Sequence, residues 1–354
     1  MRAVRYHAAR DIRVEDVAEP EGELGRNELL VRPRVCGICG TDLHEYVAGP
    51  IVTPSEPHPL TGATNPQILG HEFSADVVEV GADVRSARAG DRVAIMPLIY
   101  CGQCYYCLRG LNHLCTQMAC TGLSAPWGGM AALAVVSEYQ VAVLPDGLSY
   151  NQGALIEPAA VAEYGVQRGR VRPGDSVLIA GAGPIGALAV LAARAAGAGA
   201  VYLSEPNATR AQSATALGAT ELFNPTATSV PDELRERTRG VGVDVAIECA
   251  GSAHALQDCI ASARRGGTVV QTGLHVGPAS VEPMVWSLND LTIEGTWCYR
   301  VYDFQRIADL IRSGAFPVER VITAEIEMDA VVSDGFDVLI DPAGAAIKVL
   351  VEVS

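Results

Sequence analysis

The chain reads as an α/β protein of two units, a strand-rich half and a parallel sheet with helices on both faces. Three observations carry that expectation. Up to about residue 150, short Val- and Ala-rich runs are broken by Gly, Pro and Asp. From about Gly153, apolar strand-like runs alternate with helical ones. Between the first strand and the first helix of that second series lies a glycine turn, Gly181-Ala182-Gly183-Pro184-Ile185-Gly186. With 354 residues, each unit has enough chain for its own core.

In the first half, Glu72–Val80, Arg92–Met96 and Ala131–Val143 carry the strand pattern, punctuated by turns such as Gly90-Asp91. Ahead of them, Cys36–His44 crowds two thiols, a hydroxyl, a carboxylate and an imidazole among glycines expected to turn the backbone sharply. Five prolines between Tyr46 and Gly70 predict an ordered, irregular loop. In the second half, Ser176–Ala180, Ala200–Ser204, Val243–Glu248, Thr268–Thr272 and Leu291–Thr296 read as strands. Helices are expected after the glycine turn to about Ala196, and over Ala208–Leu217. Pattern alone leaves the last 55 or so residues unassigned.

Composition narrows the function classes. A net charge of -15 argues against nucleic acid or an anionic membrane as a partner. The uncharged stretch Val177–Ala193 is interrupted by Gly181, Gly183, Pro184 and Gly186, so it reads as strand, turn and helix, not as a membrane span. The first residues lack the apolar core of a signal peptide, which makes the cytoplasm the expected location. There, ten cysteines suggest metal sites before disulfides.

Cys101, Cys104, Cys107 and Cys115 follow Cys-x2-Cys-x2-Cys-x7-Cys, a density suited to a closed tetrahedral zinc site that braces a loop. An iron–sulfur cluster uses other spacings and often a proline after the fourth cysteine, absent here.

The glycine turn fits Gly-x-Gly-x-x-Gly, follows a strand, opens a helix and precedes the acidic Glu205, nineteen positions after Gly186. Gly181, Gly183 and Gly186 suit the tight turn, the approach of a pyrophosphate and close helix packing, with Pro184 and Ile185 at the helix start. Glu205 is placed to hold both ribose hydroxyls. A 2′-phosphate beside it would meet repulsion of about 4 kcal/mol at about 4 Å, so NAD is expected over NADP. Arg210 argues the other way, since it is able to clasp that phosphate.

A second metal needs other ligands. Cys39, His71, Glu72 and Glu157 are candidates, but spacing alone does not select among them. In one order, however, the chain carries Gly37–His44, Gly70-His71-Glu72, the four-cysteine lobe, Glu157-Pro158 and the glycine turn. That order resembles the zinc-containing medium-chain alcohol and polyol dehydrogenases along essentially the whole chain. The resemblance implies a GroES-like catalytic domain over 1–157 and 298–354, with a structural zinc lobe at about 98–118. It also implies an inserted Rossmann domain over 158–297.

Within that family, Tyr6–Glu15, Asp42–Tyr46, the insertion containing His58-Pro59-Leu60-Thr61-Gly62, Ser204-Glu205-Pro206 and Glu248-Cys249-Ala250-Gly251 resemble the 2,3-butanediol dehydrogenases. The likeness implies a catalytic zinc on Cys39 and His71, with Glu72 or Glu157 as the exchanging third ligand. It implies hydride transfer between NAD and a small secondary alcohol or vicinal diol. Thr41, then a ribose hydroxyl of NAD, then His44 would carry the proton away, with Asp42 orienting the turn or a ligand. A homodimer or homotetramer is expected. Sorbitol-like polyol or threonine dehydrogenases are the competing enzymes. A silent, nucleotide-binding relative is the competing class, and the presence of Cys39, Thr41 and His71 argues against it.

Overall fold

The computed structural model describes residues 1–353. Its strand-rich part centres on Glu28–Gly37, which pairs antiparallel with Glu72–Val80 on one side and with Lys348–Glu352 on the other. The register sets Gly37 opposite both Glu72 and Leu350. Residues from the beginning, the first quarter and the extreme end of the chain therefore meet at one point. The sheet continues through Arg92–Ile95 to Val141–Val143 at one edge and ends on Ile322–Glu327 at the other. The tail left unassigned by pattern thus supplies two strands of this seven-stranded sheet.

Ala131–Val143, expected as one strand, is two. Ala134–Ser137 pairs with Glu28–Val31, and Val141–Val143 pairs with Val93–Ile95. A single turn, Glu138–Gln140, separates them. The Gln140 side chain folds back to accept the Ser137 amide at 3.0 Å and donates to Met96 O and Thr121 Oγ1 at 3.1 and 3.0 Å. A capping turn with its own buried partners thus outcompetes β propensity.

The second sheet is parallel throughout, in the order Glu221–Phe223, Ala200–Ser204, Ser176–Ala180, Val243–Glu248, Ala263–Gln271, Thr292–Gly295. The strand order reverses between Ser176–Ala180 and Val243–Glu248, and that switch opens a crevice at their carboxyl ends. Helices Ile156–Arg168 and Pro184–Ala195 pack on one face, Val230–Arg237 and Ala253–Ser262 on the other. Val177, Ile179 and Leu188 lie in a core that also takes in Val35, Ala94 and Leu350. One continuous apolar body therefore underlies both sheets. Among the described residues, no helix is long and apolar enough to cross a membrane.

Candidate active site

Cys36–His44 is not the sharp turn expected from its glycines. The strand ends at Gly37 and a helix starts at once, Gly40–Ala48, with Cys39 as its N-cap. Neither Gly37 nor Gly40 has a positive φ. Gly37 is needed for space, because a Cβ there would overlap Glu72 Oε2. Gly40 faces a cavity of about 330 Å³.

The helix start organises the cluster. Asp42 Oδ2 accepts the Cys39 amide at 2.9 Å, as an N3 side chain closing back on the N-cap. Ligand atoms of Cys39, His71 and Glu72 all lie within 4.8 Å of one another. Burial pushes the Cys39 thiol up. Burial also works against a charged His71, but Asp42 and Cys39 outweigh it and raise the imidazole well above its usual value. One thiol, one imidazole and one carboxylate in a water-poor corner form a donor set that fits zinc.

Glu157 stands apart. It sits in the first turn of Ile156–Arg168 and lines the same cavity, but falls outside that group of three. Burial pushes its carboxyl up to about 7, with His71 opposing. Thr41 and His44 line the cavity as well, and Thr41 Oγ1 lies 3.8 Å from Cys39 Sγ.

The glycine turn has the predicted form. Gly181 has φ +104°, open only to glycine at low cost, and a Cβ at Gly186 would strike the Gly181 carbonyl. A Cβ at Gly183 would meet nothing, since Gly183 borders both the first cavity and a second of about 540 Å³. Pro184 and Ile185 face the first cavity, Glu205 and Arg210 the second. Glu205 Oε2 accepts the Ala182 amide at 2.7 Å and Oε1 the Asn207 amide at 2.9 Å, so its carboxylate is pinned at the strand end. Arg210 Nε lies 3.9 Å from it. The two cavities share Gly183, Cys249 and Ala250. Such a groove, with an open glycine in the middle and an anchored acid at one end, fits an extended dinucleotide.

The four lobe cysteines also converge, with their sulfurs within 4.8 Å of one another. Cys115 Sγ accepts the amides of Cys101 and Gln117 at 3.3 and 3.4 Å. Backbone amides of Cys107 and Thr116 favour the Cys104 thiolate and lower it to about 6. All ten cysteines are free.

Two family models cover the chain in succession. Residues 25–146 match the alcohol dehydrogenase GroES-like domain, and residues 184–313 match the zinc-binding dehydrogenase family. The (R,R)-butanediol dehydrogenase of Bacillus subtilis (strain 168) is 39% identical over 353 residues, covering 99% of each chain. The chain belongs to the zinc-binding alcohol dehydrogenases.

Other members are similar along most of their length. The sorbitol dehydrogenase of Bacillus subtilis (strain 168) is 32% identical over 332 residues, 93% of this dehydrogenase and 91% of the other. The crystal structure of 2R,3R-butanediol dehydrogenase from Bacillus subtilis superposes with a TM-score of 0.91 at 38% identity, covering 99% of both chains. A zinc-binding dehydrogenase from Sinorhizobium meliloti 1021, solved bound to NADP, gives 0.88 at 35% identity, covering 99% and 98%. The dehydrogenase is an oxidoreductase of the zinc-dependent, NAD(P)-using kind.

One residue at the site escaped the sequence reading. Lys348, fully buried, donates to Glu72 Oε2 and to Ile38 O, the latter at 2.9 Å. A single lysine in the strand Lys348–Glu352 looks like a solvated charge. Only the pairing of that strand with Glu28–Gly37 brings it to the cluster. Cys298, with φ +50°, also lines the catalytic cavity without a sequence signal.

Proposed function

We propose that this dehydrogenase oxidises small secondary alcohols, vicinal diols such as 2,3-butanediol foremost, with NAD, and reduces ketones such as acetoin in reverse. The carrying observation is that the Cys39, His71 and Glu72 cluster opens into the same small cavity as Gly183 and Thr272, walled by Leu98, Met118 and Leu123. Residues 1–157 and 298–354 form the catalytic part and 158–297 the cofactor part, in keeping with membership of the two main sheets.

When bound, zinc supplies a Lewis acid that makes an alcohol more acidic at that point. Cys39, His71 and Glu72 would hold it, with Glu157, which lines the same cavity, as the alternate carboxylate. Thr41 receives the alcohol proton and His44, half-buried on the same helix, passes it toward solvent. Cys101, Cys104, Cys107 and Cys115 would hold a second zinc, which would brace the lobe. Glu205 favours NAD.

A homodimer or homotetramer is supported by the exposed edge strand Thr292–Gly295 and by the exposed Val276, Met284 and Leu288. A cytoplasmic location accords with the ten free cysteines. The likeness to sorbitol dehydrogenase keeps a polyol activity as the second reading.

The test is a steady-state assay on chiral 2,3-butanediols, acetoin, sorbitol and threonine, with NAD and NADP, before and after chelation. Butanediol turnover with NAD that chelation abolishes is expected. Turnover of sorbitol or threonine alone would overturn the diol assignment.

A further inference from the structure

Beside the ligand helix, the proline-rich loop after Ala48 is held by one buried side chain. Glu45 is 0% exposed. Its carboxylate accepts the backbone amides of Ile51 at 3.0 Å, of Val52, and of Thr53 at 3.3 Å, and the Thr53 hydroxyl at 2.7 Å. A Cβ at Gly49 would collide with both Glu45 Oε2 and the Tyr6 hydroxyl, so the chain passes close over the acid. Glu45 itself is not on the cavity wall, but Val52 is, together with Cys39, Thr41 and His44. Further along, Thr61 Oγ1 donates to Ser124 O at 2.7 Å, next to Leu123 on the same wall.

We propose that Glu45 is a positioning residue for substrate selection: by gathering three consecutive amides it seats Val52 as the wall that limits the substituent on the carbinol carbon. The proposal rests on the secondary-alcohol reading above. Three successive N–H groups turned onto one carboxylate leave the segment little freedom, and the charge makes each bond stronger than a neutral one. Val52, 43% exposed, is thereby held where it borders the cavity. One methylene of fit in an apolar pocket changes kcat/KM about 10- to 200-fold, so a wall held this way sorts small diols from larger ones.

The experiment compares kcat/KM for 2,3-butanediol and 3,4-hexanediol in wild type, Glu45→Gln and Val52→Ala. An amide in place of the carboxylate weakens the acceptor and turns an N–H toward backbone donors. Glu45→Gln should raise KM for butanediol, narrow its advantage over hexanediol about tenfold or more, and leave the KM for NAD unchanged. Amide hydrogen exchange at Ile51–Thr53 should accelerate in the same variant. Val52→Ala should narrow the advantage with those amides still protected. Thr53→Val, which removes only the hydroxyl bond to Glu45, takes the place of Glu45→Gln if that variant fails to fold, and should loosen the same amides and narrow the same ratio. An unchanged substrate ratio in Val52→Ala, or in a folded Glu45→Gln, overturns the proposal. Should wild type turn over neither diol, the diol reading fails by itself. The same ratio is then taken on 2-butanol and 3-hexanol, which still tests the clamp.

Discussion

Asp42 and His71 face each other inside the protein, with Asp42 Oδ1 3.5 Å from His71 Nδ1. Asp42 is 0% and His71 5% exposed. The other Asp42 oxygen accepts the Cys39 backbone amide, so one carboxylate lies between two candidate ligands drawn from separate elements. With Nδ1 turned to Asp42, Nε2 is left for a metal.

Asp42→Asn should therefore weaken metal binding about 10- to 100-fold, as expected for partners behind a ligating histidine. Competition with a chelator measures it. Metal retained as in wild type would assign Asp42 to the helix cap alone.

The lobe makes a separate prediction. Cys104→Ser removes one of four converging sulfurs while leaving the catalytic cavity untouched. Metal content should drop from about two equivalents per chain to about one, with a lower Tm. If two equivalents remain, the lobe does not hold its own ion.

Cofactor choice tests Glu205. A 2′-phosphate near this carboxylate costs about 4 kcal/mol before screening, so kcat/KM should favour NAD strongly. Glu205→Gln keeps an acceptor for the Ala182 amide but removes the charge, and should shift the NAD-to-NADP ratio at least tenfold toward NADP, with Arg210 then free to help. Equal ratios in variant and wild type would mean that the acid does not set the preference.

Stability should depend on pH through Asp244. Its carboxylate accepts the Ser176 amide and hydroxyl at 2.8 Å each and pairs with Arg264 at 2.7 Å, tying together three strands of the parallel sheet. Burial alone would raise its pKa, but Ser176 and Arg264 outweigh it and bring it below the unfolded value of 3.8. The ionised form is thus favoured by folding. Its contribution is complete above pH 3.8 and is lost as pH falls through the lower folded value. Asp244→Asn should cost about 1–2 kcal/mol at pH 7, and the gap in Tm to wild type should narrow as pH falls below 3.8. A gap that stays the same as pH is lowered would assign the loss to packing instead of charge.

Local chemistry was legible where it repeats at short range. The glycine turn, its strands and the four-cysteine lobe are each written within about twenty residues, because backbone geometry and ligand spacing leave few alternatives. Ala131–Val143 misled because Val and Ala runs signal strands without showing where a buried glutamine will break them. The helix from Gly40 was hidden because its N-cap is a cysteine, outside the usual capping residues.

By itself, the sequence determined the two-part α/β plan, the glycine turn and the four-cysteine lobe, and it named Cys39, His71, Glu72 and Glu157 as candidate ligands without choosing among them. Only the tertiary structure decided that Glu72, and not Glu157, groups with Cys39 and His71, that Lys348 is bound to Glu72, and that Glu45 holds Val52 against the cavity. The reason is register. Glu72 and Lys348 become neighbours only once Glu28–Gly37 pairs with both Glu72–Val80 and Lys348–Glu352, and no local pattern encodes that pairing. Glu45 and Val52 are only seven residues apart, and there it is the loop's path back over the helix that decides.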